Sequence, residues 1–293
     1  MLRISKISFP GLGIGEFSVN SVAFKIGSVE IAWYALLITF GMICAVAYTV
    51  FRAKKIGITP SDIMDIALFT IPAGIIGARL YYVLTKLDEF NTIGEVFNIR
   101  GGGLAIYGGI IGGAIAVLIG TRVKKISFLA IADCCTPGII LAQAIGRWGN
   151  FMNGEAFGYE TEVFIRMGLQ NSLTGGALQF VHPTFLYESL WNILGFILIN
   201  LFFARRQYDG QVLFMVFGWY GLGRMFIEGL RTDSLYTTIF SWTFRTSQVL
   251  AAVIFAVCTA LLIYFFFKKP NKEMYFKPAK ANKAETDKNI ENK

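Results

Sequence analysis

The chain has little of what most soluble enzymes use for chemistry. It holds one histidine and four cysteines in 293 residues. Cys44, Cys134, Cys135 and Cys258 all fall in apolar stretches, and the adjacent pair lacks the spacing of metal ligands, so these thiols are expected to act as small buried hydrophobes. A Walker loop, a dinucleotide fingerprint and an HExxH zinc motif are missing, which removes the common signatures of nucleotide and zinc chemistry. No metal ion and no cofactor is expected. No internal repeat is visible. The opening "MLRISKISFPGLGIG" has no continuous apolar run of the kind a cleavable signal peptide carries, so cleavage there is not expected.

Apolar side chains are present in excess. Hydrophobic residues make up 55% of the chain and aromatics 15%, and the mean hydropathy is +0.56. That is more than a soluble domain of this length can bury in its core. Seven membrane-spanning helices are predicted, at 31–51, 62–85, 104–121, 127–145, 184–204, 211–230 and 247–267, each near the ~20 residues that cross roughly 30 Å of hydrocarbon. Spans of this length exclude a β-barrel, whose ~10-residue strands alternate polar with apolar. The expected fold class is an all-α polytopic membrane protein. Residues 1–269 would form a seven-helix catalytic domain with extracytoplasmic loops, and 270–293 a disordered, Lys-rich cytoplasmic tail.

Orientation follows from where lysine and arginine gather, because short cytoplasmic loops are enriched in them. The first, third and fifth connections carry Arg52/Lys54/Lys55, Arg122/Lys124/Lys125 and Arg205/Arg206, and the last span runs into Lys268/Lys269. The second connection mixes Lys86 and Arg100 with Asp88, Glu89 and Glu95, and the fourth is long and roughly balanced. The N-terminus is therefore placed outside and the C-terminus in the cytoplasm; Lys6 and Lys25 argue weakly the other way. The net charge of +8 then reflects topology and attraction to anionic membrane lipids, not nucleic-acid binding.

A charge in the hydrocarbon costs roughly 2.5 to 3.5 kcal/mol on insertion scales, so each one inside a span needs a partner or a purpose. Asp62, Asp65 and Asp133 fall toward the cytoplasmic side. Arg79, Glu188, Arg224 and Glu228 fall in the outer half, where Tyr34 and Tyr107 open the first and third spans and Arg147 ends the fourth. In "YGLGRMFIE", Tyr220, Arg224 and Glu228 recur every four residues and share one helical face. One reading is a structural ion pair. The other is a site, because Arg79, Arg147 and Arg224 share a depth without an obvious excess of carboxylates, and guanidinium forks match the oxygens of an anionic headgroup.

The segment "GRWGNFMNGEAFG" at 146–158 ends the fourth apolar run with Arg147, Asn150, Asn153 and Glu155 among four glycines. A polar loop with sharp turns at the water boundary is expected there, able to hold a ligand's polar part through those side chains and Gly158. In "GGGLAIYGGIIGG", Gly108, Gly109, Gly112 and Gly113 suit close helix packing. The glycines at 101–103, Gly102 and Gly103 among them, suit a turn beside the pocket. His182 opens "HPTFLYE" at the mouth of the fifth span. It is either a pH-sensitive catalytic group or simply the polar residue before Pro183.

"GRWGNFMNGEAFG", "GGGLAIYGG", "HPTFLYE" and "YGLGRMFIEGLR", in this order and spacing, resemble the motifs of the bacterial prolipoprotein diacylglyceryl transferases from the first span to the seventh. The resemblance implies a multi-pass enzyme of the cytoplasmic membrane. Its partners would be phosphatidylglycerol and lipobox-containing preprolipoproteins. It would transfer the diacylglyceryl group to the lipobox cysteine thiol, forming a thioether and releasing glycerol phosphate. By similarity, Arg147 and Arg224 would bind the phosphate and stabilise its growing charge, Asn150, Glu155 and Gly158 would shape the headgroup site, Tyr34 and Tyr107 would flank it, and Glu228 would orient Arg224. Many relatives have histidine where this chain has Tyr107. The acceptor of the thiol proton is thus open among Tyr107, Glu228 and His182, and arginine electrostatics are expected to carry more of the reaction than a dedicated base. Asn153, Arg79, Tyr220, Gly102 and Gly103 complete the expected substrate-binding set.

Three rivals are weighed against this reading. A transporter would spread its polar groups across both halves of the membrane, whereas here they crowd one side. A retinal photoreceptor needs a lysine in its last span, and "VLAAVIFAVCTALLIYFFF" has none. Another lipid-linked group transferase would share the arginine layer and differ only in its products.

Overall fold

The computed structural model describes residues 4–90, 92–98, 102–234, 236–239 and 242–268. The tail at 270–293, Lys269, Arg100 and Gly101 lie outside the described residues. The fold is mostly helical, and among the described residues six helices are long and apolar enough to cross a membrane. These are α1 (Trp33–Lys55), α2 (Pro60–Thr85), α4 (Ile106–Lys124), α5 (Phe128–Asn153), α6 (Thr184–Phe203) and α8 (Thr246–Lys268). The helix of the predicted sixth span, α7 (Gln211–Ile227), has 17 residues and is followed by a 3-10 turn over Glu228–Leu230. A short helix, α3 (Ile93–Phe97), lies between α2 and α4. The helices have local causes. Thr59 caps α2 by accepting from the Asp62 amide, ahead of Pro60 in the first turn. Gly210, in a left-handed conformation with φ of 96°, opens α7. Large apolar side chains such as Leu68 and Phe266 point outward at 69% and 72% exposure, as a lipid-facing surface requires.

The all-α expectation needs a correction, because strands lie outside the helices. Strands β1 (Ile4–Phe9), β2 (Ile14–Asn20), β5 (Met167–Gln170) and β6 (Gln179–Val181) form one antiparallel sheet in the order β2-β1-β5-β6. Two hairpins, β3 (Val22–Ile26) with β4 (Val29–Ala32) and β7 (Tyr236–Ile239) with β8 (Trp242–Arg245), precede α1 and α8. In β1 the side chains alternate, so Ile7 and Phe9 turn inward beside Val19, Met167, Leu169, Val181 and Phe185. Phe151, Met152 and Leu186 pack against this cluster, so the sheet rests on the adjoining ends of α5 and α6. Short strands of this kind escaped the sequence reading because a few apolar residues per strand carry little periodic signal beside the apolar runs of the spans.

The chain divides into two compact units. Among the described residues, those from 4 to 45 together with those from 135 to 268 make the first, and Val46–Cys134 the second. The second unit is built on α2 against α4, where glycines let the backbones touch. A Cβ added at Gly108 would overlap the Gly77 carbonyl, and one at Gly112 would overlap that of Ala73.

Candidate active site

The 146–158 motif is not a loop from its start. Helix α5 continues through Asn153, and the turn comes after it, with Gly154 at φ of 61° and Ala156 at φ of 56°. The reason is packing. Gly149 presses against Tyr34 so closely that a Cβ would lie 2.6 Å from its ring, and one at Gly146 would lie 3.0 Å from Ile38. These glycines thus serve helix contact rather than turning. Arg147, Asn150 and Asn153 follow at helical spacing, so they share a face. Along it runs a relay in which Arg147 Nη1 donates to Asn150 Oδ1 at 3.3 Å, and Asn150 and Asn153 donate to Glu155 Oε1 at 3.2 and 2.9 Å.

The relay ends on Glu188, one turn into α6. Arg147 Nη2 lies 2.6 Å from Glu188 Oε2, while Arg224 Nη1 and Arg231 Nη1 lie 3.1 and 3.3 Å from Oε1. One carboxylate thus gathers three arginines from three segments of the first unit. Arg224 also reaches Glu228 at 2.5 Å, and Arg231 forms a bidentate pair with Asp233 at 2.8 and 2.9 Å. Arg245 at the end of β8 braces the group by donating to the Glu228 carbonyl and to Tyr159 Oη. Glu188 and Glu228 are buried, with side chains 7% and 2% exposed, whereas Arg147 keeps 22% and Arg224 15%. Tyr220, Asn192 and Trp191 line a cavity of about 10 Å³ beside Glu188 and Arg224, room for about one water.

The reading of unmatched arginines is corrected by this geometry. Arg147, Arg224 and Arg231 face Glu188, Glu228 and Asp233, so the cluster is balanced by formal charge. What persists is donor capacity. Among the described residues, the Nε groups of Arg147 and Arg224 donate to no protein atom and are not sealed from the surface. At Arg231, outside the helices, burial alone would lower the pKa. The hydrogen bonds that Arg231 donates to Asp233 and the charges of Glu188, Asp233 and Glu228 outweigh burial and hold it above the usual range. Burial likewise pushes the Asp233 carboxyl up, but Arg231 prevails and holds it below its ordinary value.

The loop after Gly154 is tied to the same helices. Gly158 donates its amide to the His182 carbonyl at 3.0 Å. A Cβ there would lie 2.7 Å from both His182 Cβ and the Leu230 carbonyl, so this position requires glycine. The His182 ring sits half-buried with Nδ1 3.1 Å from Tyr187 Oη, and burial lowers its pKa. Gly154 in turn is fixed from the sheet, where Asn171 Nδ2 donates to the Gly154 carbonyl at 2.8 Å and to Ser5 Oγ at 3.1 Å.

Arg79, Gly102, Gly103 and Tyr107 belong to the second unit. The Arg79 guanidinium donates to four backbone carbonyls, those of Glu95, Val96, Gly102 and Gly103, at 2.6 to 3.0 Å. It thereby orders the segment between α2 and α4. Gly102 and Gly103, with φ of 92° and 74°, form the expected turn. With Tyr82, Phe90 and Asn98, these residues line a cavity of about 250 Å³. Tyr107 lies in the first turn of α4, with its ring 6.4 Å from that of Tyr81.

Sequence reasoning had counted Glu188 only as an intramembrane charge and had passed over Arg231, Asp233, Arg245 and Asn171. The signal for Arg231 was present. Positions 224, 228 and 231 are spaced four and three apart, which continues the charged face of α7 by one turn. Arg245 and Asn171 gave no such sign, since each acts through a backbone contact made only in the folded chain.

A family model described as "Prolipoprotein diacylglyceryl transferase" matches residues 21–264. Among curated proteins, the phosphatidylglycerol–prolipoprotein diacylglyceryl transferase of Clostridioides difficile strain 630 is 42% identical over 255 residues, 87% of this chain and 98% of that protein. The Enterococcus faecalis protein of the same description is 41% identical over 283 residues, 92% of this chain and 98% of its own. That of Listeria welshimeri is 41% identical over 261 residues, 86% and 92% of the two chains. The chain belongs to the prolipoprotein diacylglyceryl transferase family.

Proposed function

We propose that the protein is a phosphatidylglycerol–prolipoprotein diacylglyceryl transferase whose working centre is the Glu188 cluster. The observation that carries the mechanism is the meeting of Arg147 and Arg224, from α5 and α7, on opposite oxygens of one carboxylate. Glu188 and Glu228 hold the two guanidinium groups, and the Asn150–Glu155 relay orients Arg147 from its other side. The free Nε edges then grip the phosphate of phosphatidylglycerol, while Tyr34, Tyr220, Asn153 and Gly158 shape the surroundings.

The lipobox thiolate attacks the glyceryl carbon that bears the phosphate. A C–S bond forms, and the C–O bond breaks with its electron pair moving to the phosphate oxygen. The thiol proton balances that oxygen in the released glycerol phosphate. Arginine charge acts twice, favouring the thiolate, whose reference pKa is ~8.5, and stabilising the departing phosphate. Arginines in a site shielded from water are worth more than in solution, which fits the burial of Glu188 and Glu228.

The membrane arrangement is part of the proposal. The protein crosses the cytoplasmic membrane of a bacterium seven times, with α7 as the sixth span. Its 17 residues are at the short end of the usual ~17 to 25. Glu188 lies in the first turns of α6, and Arg205 and Arg206 follow that helix at its other end, which supports a cytoplasmic face there and an external face for the Glu188 cluster. The test is incubation of the purified protein with phosphatidylglycerol and a lipobox peptide, followed by mass spectrometry. A gain of one diacylglyceryl unit on the cysteine is expected, and none on a Cys-to-Ser peptide. No gain with phosphatidylglycerol, but modification by a different lipid-linked donor, would overturn the substrate assignment.

A further inference from the structure

Below the Glu188 cluster, α6 and α7 are joined by a reciprocal pair of tryptophans. Trp191 Nε1 donates to the Trp219 carbonyl at 3.0 Å, and Trp219 Nε1 donates to the Trp191 carbonyl at 2.9 Å. The two indoles stack with centroids 4.2 Å apart and planes 16° from parallel. Each ring lies in a notch on the opposite helix that only glycine provides. A Cβ at Gly195 would overlap the Trp219 indole, and one at Gly223 would overlap that of Trp191. Every element of the arrangement on α6 thus has its counterpart on α7.

The pair adjoins the charged cluster on both helices. Trp191 is one turn from Glu188, and Gly223 immediately precedes Arg224. Trp191, Gly223, Glu188 and Arg224 line the same small cavity. Ordinary apolar packing in a membrane lets helices slide or rotate at little cost, since lipid tails substitute for side chains. Two indoles locked into opposing notches do not allow this, because a shift in either direction drives a ring into backbone and strips a partly buried N–H of its carbonyl acceptor.

We propose that Trp191 and Trp219 are positioning residues, a clamp that sets the register of α6 against α7 and so holds Glu188 opposite Arg224. Both act through Glu188 and Arg224. The inference rests on the reading of the Glu188 cluster as the working centre. Misplacing a catalytic group by about 1 Å costs on the order of 10²-fold in rate, so the clamp shows in turnover more than in lipid binding.

The stacked indoles are expected to give their own signature, an exciton couplet in the circular dichroism of the unsubstituted protein. W219F and, from the other helix, W191F remove one N–H each and should abolish the couplet. Measured well below the unfolding temperature, each should lower kcat for diacylglyceryl transfer by roughly 10- to 100-fold while KM for phosphatidylglycerol changes less than threefold. G195A should reproduce the effect by expelling the Trp219 ring. R224K is the control for the underlying site: it should lose transfer yet keep the couplet. If the tryptophan variants lose the couplet but turn over within threefold of the parent, the clamp serves stability alone and the proposal fails. If R224K retains full activity, it is the site assignment that fails. Should W219F not fold, W191F and G195A decide the matter, and failure of all three to fold would make the pair a folding element, against the proposal.

Discussion

Replacing Glu188 with glutamine tests the cluster at its centre. The side chain is nearly isosteric and is buried, so solvent does not soften the change. In the parent, the two carboxylate oxygens face Arg147, Arg224 and Arg231 at 2.6, 3.1 and 3.3 Å. The amide keeps one acceptor oxygen, turns an NH₂ toward a guanidinium and leaves the cluster one positive charge in excess. A hydrogen bond to a charged group is worth about 1.5 to 3 kcal/mol, and breaking a buried ion pair from one side costs about 3 to 5 kcal/mol. Allowing for the acceptor that remains, a loss of about 3 kcal/mol follows, and at 1.36 kcal/mol per tenfold this is roughly 10²-fold in rate. The sign of the charge change says where the loss appears. Added positive charge does not weaken attraction for an anionic lipid, so KM for phosphatidylglycerol should hold or fall while kcat drops. The assay is the rate of peptide lipidation in phosphatidylglycerol-containing vesicles, with the tryptophan couplet as the check on helix register. E188Q turning over within threefold of the parent, with register intact, would refute the idea that this carboxylate organises the arginines.

Y107F should keep most transfer activity if arginine electrostatics carry the reaction; near-total loss with intact fold and lipid binding would make the phenol a proton acceptor. N171A should lower the thermal midpoint by removing about 2 to 3 kcal/mol of stability, because this buried side chain caps the turn at Ser172–Thr174 and joins Ser5 to Gly154. A midpoint equal to the parent's would mean the sheet does not support the 154–158 turn. At His182 the folded pKa lies below the ordinary 6.5, so the unfolded chain takes up the proton first. Its contribution to stability is complete above pH 6.5 and is lost as pH falls through the folded value. Thermal midpoints measured downward from pH 7.5 should fall more for the parent than for H182Q, and parallel curves would contradict the assigned burial.

By itself, the sequence determined the class of the protein and most of its membrane helices, because an uninterrupted apolar run of about 20 residues has few other ways to satisfy its backbone. It also led to the expectation of Arg147 and Arg224 at one level, since helical rise converts residue number into distance along the axis, and both meet Glu188. It did not show that α5 runs on through Asn153, because glycines at 146 and 149 read as breakers until Tyr34 and Ile38 are seen filling the space above them. Nor did it assign Glu188 to three arginines or pair Trp191 with Trp219. Depth is fixed by position along one helix, whereas a partner is fixed by the rotation and register of two. Those depend on close contacts between residues far apart in the chain, the overlap of an indole with a glycine notch being one, and only the folded structure decides them.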